Sequence, residues 1–418
     1  MASPAQFTAS HRAATTARTG ALLVFAANGA GFASWAARVP DIKQQLGLSP
    51  SGLGVLLLAI SAGSLLGLPL AGRIAHRLGA ARAVRTALAI FAPGLLLAAV
   101  AVTVQAPTWL VMAGLFLVGL GNGLWDVSQN LEGTVIEQVS GRSIMPWFHA
   151  AFSAGTVVAA LVGALFVHLR VPILTHLILV VLVVAVLSLW GTSRFLSTVR
   201  ATPTVPTSPH PRPDATPRTT PRSAWTEPRT LLIGLMVLAA AFAEGTANDW
   251  IAVAFAEGHH LGNTLGVLAM AVFLTFMTLG RVGGTFLLDH FGRVPVLRVL
   301  FGAALVGCVL VVFGTPWLAY VGAAIWGVGA SLGFPVGISA AADDLHRAAA
   351  RISVVSTIGY LAFLGGPPLL GFLGDHWGVL HALLVVGVMA LLALLVVPAA
   401  RPLPVDPDPT SSSPGVTR

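Results

Sequence analysis

Apolar residues run through this chain in long blocks, with polar residues gathered between them. A helix needs about 20 predominantly apolar residues to cross the hydrocarbon core of a bilayer. Blocks of that length lie near 20–39, 52–72, 84–104, 109–131, 146–167, 172–191, 230–252, 264–286, 296–314, 317–340, 352–373 and 379–398. They predict twelve membrane helices in an all-α protein. Between the sixth and seventh blocks, eight prolines fall between Pro203 and Pro228, interspersed with threonine and arginine. Such a segment lacks the apolar surface to bury a core and reads as a disordered linker. The layout that follows is a tail over 1–18, a six-helix bundle over 19–192, a linker over 193–229, a second bundle over 230–398 and a tail over 399–418.

The fourth block carries the polar pattern that matters most. Within GLGNGLWDVSQNLEG (Gly119–Gly133), Asn122, Asp126, Gln129 and Asn130 fall at i, i+4, i+7 and i+8 and so share one helix face. A carboxylate at hydrocarbon depth costs at least ~2.5 kcal/mol, which is tolerable only beside a cavity or a partner inside the protein. Asp126 therefore marks either a transport pathway or a polar network that joins helices. The glycines at 119, 121 and 123 let neighbouring helices approach closely.

Polarity elsewhere has a period of three spans. The third, sixth, ninth and twelfth blocks hold no Asp, Glu, Asn or Gln, as expected of helices facing lipid or scaffold. The first carries Asn28 and the seventh Glu244, Asn248 and Asp249, while the fifth places His149, Ser153 and Thr156 on one face. The eleventh adds Ser353, Thr357 and Tyr360. A polar lumen inside a ring of apolar helices follows. The halves also repeat: Trp109, Gly119 and Gly121 reappear 208 residues on as Trp317, Gly327 and Gly329, and Trp35, Leu46 and Gly47 reappear 215 on as Trp250, Leu261 and Gly262. Parallel six-plus-six repeats are a transporter architecture with the site between the halves.

Composition and charge agree. Of 418 residues, 56% are hydrophobic and 9% charged, and the mean hydropathy is +0.86, against about 25% charged in a soluble domain. The net charge of +8 lies at the ends of the apolar blocks, where it sets topology and meets anionic lipid rather than nucleic acid. An even number of spans puts both termini on one side. That side receives every Lys and Arg of the 23 except Arg38, Lys43 and Arg170, so the positive-inside rule places the termini and the linker in the cytoplasm. Residues 1–18 carry Arg12 and Arg18 without a cleavage-site pattern, and the first block reads as a retained helix. The single Cys308 allows no intramolecular disulfide. The sequence holds no H-E-x-x-H, G-x-S-x-G or P-loop, and no metal site or cofactor beyond a coupling proton is expected.

Several segments resemble a known family. GRIAHRLGAAR between the second and third blocks is similar to the loop motif G-x-x-x-D-R-x-G-R-R of the major facilitator superfamily, through Gly72, Arg77, Gly79 and Arg82, with His76 in place of the acid. Its second-half copy, LLDHFGRV, keeps Asp289, Gly292 and Arg293. Within the superfamily, WAARVP (Trp35–Pro40), WDVSQN (Trp125–Asn130), HAAFSAGT (His149–Thr156) and EGTANDW (Glu244–Trp250) resemble fucose-permease-like carriers and uncharacterised bacterial inner-membrane permeases. The resemblance implies a monomeric carrier in the bacterial inner membrane, working by alternating access on a small-molecule solute. It implies a cytoplasmic gate at Gly72, Arg77, Gly79, Asp289, Gly292 and Arg293. Proton–fucose symporters carry an acid four residues before an Asn in the fourth span, matching Asp126 and Asn130. They also carry an acid in the first span, which this chain lacks.

The reading assigns proton coupling to Asp126, Glu244 and His149. For Glu244 the alternative is a partner for a buried His or Arg. Solute contacts are expected from Asn28, Trp35, Asn122, Gln129, Asn130, Asn248 and Tyr360. Trp35, Trp125, Trp250 and Trp326 either stack on a planar solute or anchor at the interface. Arg38 and Asp249 are expected to pair as an outer gate. The leading function is proton symport of a sugar-like or small polar solute. Proton-driven efflux of drugs or metabolites, and a non-transporting sensor or scaffold, stand as the alternatives.

Overall fold

The computed structural model describes residues 4–140, 144–196, 223–344 and 347–403, without the side chains of 4–13, 285 and 349. Among them are twelve helices long and apolar enough to cross a membrane. Most of the expected linker (197–222), Arg142 and most of the second tail lie outside the described residues. The first helix, Pro4–Ala36, begins well inside the segment read as a tail, and a short helix, Val39–Gln45, follows it. The seventh span starts at Pro228 behind a single 3-10 turn, Ala224–Thr226.

Glycine sets how the helices pack. A Cβ on Gly119 of the fourth span, Thr108–Ser140, would lie 2.0 Å from the Ile60 carbonyl oxygen of the second span, Pro50–Leu78. The repeat partner Gly327 meets the Phe273 carbonyl of the eighth span, Gly262–Phe291, at 2.4 Å. Gly121 and Gly329 stand in the same way against the third and ninth spans. The 208-residue spacing is thus a repeat of packing: each half is locked around the same two glycines. The 215-residue spacing is a repeat of turns, since Gly47 and Gly262 both have positive φ, +61° and +78°, which only glycine adopts at no steric cost.

Large apolar side chains face outward along the spans that hold no Asp, Glu, Asn or Gln, as Val183 and Val186 do in the sixth and Val299 and Phe313 in the ninth. Trp109 and Trp317, at 66% and 82% exposure, stand at matching helix starts, where an amphipathic ring suits the membrane interface. Trp35, Trp125, Trp250 and Trp326 are buried instead, at 2% exposure or less. Trp125 packs edge-on against Phe91 and Trp326 against Phe273. None of the four is an interfacial anchor.

The tenth span departs from the expected single helix. It is broken into Pro316–Ala330 and Gly333–Ala341, with Ser331 and Leu332 between. Pro335 has no N–H with which to close a helical bond to the Ser331 carbonyl four residues back. The freed carbonyl is satisfied by a side chain: Arg281 Nε donates to it at 3.2 Å. Irregular backbone is tolerated at membrane depth where protein or a cavity satisfies it in this way.

Candidate functional site

Two adjoining cavities occupy the space between the halves, of about 220 Å³ and about 170 Å³. Phe32, Asn122, Asn248 and Phe363 line both and form the partition between them. The larger is reached by Asp126 from the first half and by Asp249 and Tyr360 from the second, with Ser61 and Ser64 on its wall. The smaller is reached by Glu244 and Arg281 together with Ser153 and Thr156. Asn122 and Asp126 of the fourth helix, Ser153 and Thr156 of the fifth, Glu244, Asn248 and Asp249 of the seventh and Tyr360 of the eleventh therefore converge on one lumen.

Asp126 sits in a local network made by its own helix. Gln129 Nε2 and Asn130 Nδ2 donate to its Oδ1 at 3.4 and 3.1 Å, because residues three and four apart on a helix are neighbours. His149, at the start of the fifth span, is exposed and close enough to exchange charge interactions with Asp126. Tyr360 of the opposite half lines the same cavity as Asp126. Gln129 is fully buried and does not line either cavity; it holds Asp126 rather than reaching the lumen.

Glu244 is not free. Arg281 Nη2 donates to both of its carboxylate oxygens, at 2.7 and 2.8 Å. The charge pattern of the sequence predicts Arg281 to be a loop charge on the side of the termini. It lies instead within the eighth helix and clamps Glu244 to the broken tenth span through the Ser331 carbonyl. Moving one arginine from that loop count leaves the charge asymmetry intact. An acid in the seventh span with no evident partner was the available signal that a cation was missing from the lumen.

Four of the expected solute contacts, Asn28, Trp35, Gln129 and Asn130, line neither cavity; the last two hold Asp126 through their amides. Asn28 is 1% exposed and lines neither cavity, and its side-chain oxygen and nitrogen have no partner among the described residues. Leaving a buried amide unpaired costs about 1–3 kcal/mol, and the described neighbours offer no reason for it. Trp35 is equally buried away from the lumen.

The expected Arg38–Asp249 pair does not form. Arg38, 2% exposed, donates to Asp41 at 2.7 Å, to His176 Nδ1 at 2.8 Å and to the Val171 carbonyl at 2.9 Å. It ties the first span to the sixth within one half. By the 215-residue repeat Asp249 corresponds to Ser34, one turn deeper than Arg38, and it faces the cavity instead. The contacts that join the halves come from other residues: Lys43 Nζ to Glu257 at 2.6 Å, Asn263 to Asp41 at 2.5 Å and to Gln44 at 3.2 Å, and the Ser51 amide to Asp375 at 3.3 Å. Backbone packing supports them, with Gly54 against the Pro367 carbonyl and Gly371 against the Pro50 carbonyl. All of these lie on the face opposite the termini.

On the terminus face, ion pairs join elements of the second half. Asp343 accepts from Arg229 at 2.8 Å and from Arg293 at 2.6 Å, and Glu227 pairs with Arg347 and Arg351. Burial raises the Glu227 carboxyl, but hydrogen bonds from Arg351 and Thr230 and the charges of Arg351 and Arg347 outweigh it and hold the group below its ordinary value. Of the loop-motif residues, Gly79 and Gly292 are turn glycines with φ near +79° and +76°. Arg77 and Asp289 are exposed and make no ion pair among the described residues, and Gly72 has open space around it.

The comparison that decides the family covers nearly the whole chain. The family model of the Major Facilitator Superfamily matches residues 20–364 and 240–416. The protein belongs to the major facilitator superfamily. It is a multi-pass membrane protein and a secondary transporter, not an enzyme. An uncharacterised MFS-type transporter of Yersinia pestis is 30% identical over 91% of this chain and 94% of its own length. The membrane protein MosC of Rhizobium meliloti is 25% identical over 86% of this chain and 84% of its own length. Among solved structures, the nucleoside transporter NupG superposes with a TM-score of 0.72 at 14% identity over 93% of this chain and 99% of that one. The Escherichia coli fucose:proton symporter FucP gives 0.60 at 15% over 92% and 98%. At those identities the structural likeness speaks for the fold.

Proposed function

We propose that this transporter carries a small polar, sugar-like solute across the bacterial cytoplasmic membrane together with protons, and that Asp126 is the coupling group. The observation that carries the reading is the state of the two acids named for coupling. Glu244 is neutralised by Arg281 across both carboxylate oxygens, whereas Asp126 faces the cavity with hydrogen bonds to neutral amides only. A carboxylate held by neutral donors at a water-accessible lumen can gain and lose a proton as access alternates. One already clamped by a guanidinium is poorly suited to that cycle. Glu244 and Arg281 then serve as a fixed scaffold for the second half, and His149 tunes Asp126 from the fifth span.

Arginine placement supports cytoplasmic termini. With that orientation the sealed face is the outer one, and the cavity is offered to the cytoplasm in this conformation. The lumen is enclosed by one chain, which supports a monomer as the transport unit. The printed identity of FucP as a fucose:proton symporter is in keeping with coupled uptake. Proton-driven efflux is the second reading, favoured by the aromatic residues Phe32 and Phe363 on the partition. Proteoliposomes loaded at one pH and diluted into another separate the two. Symport gives solute accumulation when the outside is acidic, and efflux coupling gives accumulation when the inside is acidic.

A further inference from the structure

We infer that the transported solute bears an ammonium group and that Asp249 receives it; this rests on the proposed reading that the lumen is the transport site. The inference starts from the charges that reach the lumen. Arg281 and Glu244 cancel, and Arg281 Nε donates to the Ser331 carbonyl. That leaves Asp126 and Asp249, which line the same cavity from opposite halves. Asp126 has amide donors and the nearby His149. Asp249 has neither an ion pair nor a side-chain hydrogen bond among the described residues, although its helix neighbours Ala247 and Trp250 are fully buried. A carboxylate at this depth costs at least ~2.5 kcal/mol unless something in the lumen answers it.

The rest of the wall indicates what answers it. Asn122, which lines both cavities, has its side-chain oxygen buried without a donor. The larger cavity thus presents acceptors on Asp126, Asp249 and Asn122 and no cationic side chain. Anionic solutes such as sugar phosphates or carboxylates find no cationic side chain on this wall. An ammonium group offers three N–H donors and a positive charge. Its alkyl body fits against Phe32 and Phe363, whose ring faces attract a nearby cation. Hydroxyls on the same solute find Ser61, Ser64, Asn248 and Tyr360 along the remaining wall.

The test uses the full chain, purified in detergent and melted at neutral pH and constant ionic strength with millimolar matched probes. The pairs are glucosamine with glucose, galactosamine with galactose, and ethanolamine with ethylene glycol. At least one amine is expected to raise Tm by about 1–2 °C, the shift that a ligand held at roughly five to twenty times its Kd gives a chain of this length, while its neutral partner does not. Asp249→Asn should lose the shift and Asp249→Glu should retain part of it. Replacing sodium by potassium in the buffer separates an ammonium site from a sodium site, since a sodium site would give stabilisation by sodium chloride alone. The inference is overturned if the neutral partners stabilise as well as the amines, if sodium alone reproduces the shift, if no amine shifts the melt, or if Asp249→Asn keeps the amine effect. Failure of proton coupling at Asp126 would show in gradient-driven accumulation and would leave these melts unchanged.

Discussion

Lys43 and Glu257 meet at 2.6 Å across the two halves, on the face opposite the termini. Glu257 is 45% exposed, and exposed ion pairs contribute up to about 1 kcal/mol. The pair therefore biases the closed state without locking it, as a transporter that must reopen requires. Lys43→Glu is expected to raise the population open on that face by up to about fivefold, and Glu257→Lys in the same chain to restore closure. Labelling of a cysteine at Phe32, in a chain with Cys308 replaced by Ser, measures it from that side. Unchanged labelling in the single reversal would show that the pair is no latch.

Arg281 holds three spans at once, through Glu244 and the Ser331 carbonyl. Removing one partner of a fully buried pair costs about 3–5 kcal/mol. With Arg281 and Glu244 at 29% and 20% exposure, Arg281→Ala should lose roughly half of that. Arg281→Lys should recover little, because an ammonium lacks the guanidinium fork. Pro335→Ala would give the Ser331 carbonyl a helical N–H in competition with Arg281. It is expected to hold Tm while slowing transport, which paired melts and uptake rates would resolve.

Gly119→Ala and Gly327→Ala should each fail to give folded protein in normal yield. Their Cβ atoms would stand 2.0 and 2.4 Å from a neighbouring backbone oxygen that cannot move alone. Gly302→Ala, with nothing within 4 Å, is the matched control and should express normally. Size-exclusion profiles of the three variants decide it; a well-behaved Gly119→Ala would contradict the packing.

Glu227 gives a pH signature outside the membrane. Its carboxyl titrates below the ordinary 4.5 in the folded chain. Its contribution to stability is therefore present above 4.5 and lost as pH falls from there through the lowered value. The Tm advantage of the native chain over Glu227→Gln should be constant from neutral pH down to about pH 5.5 and shrink below 4.5. An advantage that grows on acidification would reverse the sign and refute the assignment.

Much of this architecture is written in apolar blocks and glycines. Twelve spans, the repeat around Gly119 and Gly327, and the stripe from Asn122 to Asn130 follow from period and spacing, because helix geometry maps sequence to faces directly. Pairing across helices does not follow that way. Arg281 looked like a loop charge since an arginine near a span end usually is one, and its partner lies 37 residues away on another helix. Arg38 and Asp249 looked matched because both sit near helix ends. A break after Ala36 turns Arg38 back onto Asp41, and one helical turn puts Asp249 in the lumen. Pro335 held the clue to the broken tenth span, since a proline removes a specific N–H and leaves a specific carbonyl in need of a donor.

The central claim is that protonation of Asp126 links the solute to the proton gradient. Protonation can drive reorientation only if the two access states differ in proton affinity. Asn keeps the shape and hydrogen bonding of protonated Asp but cannot cycle charge. In reconstituted vesicles, Asp126→Asn should still exchange solute across the membrane yet lose accumulation under an imposed pH gradient, while Glu244→Gln should keep accumulation in whatever fraction folds. Full gradient-driven accumulation by Asp126→Asn would contradict the account.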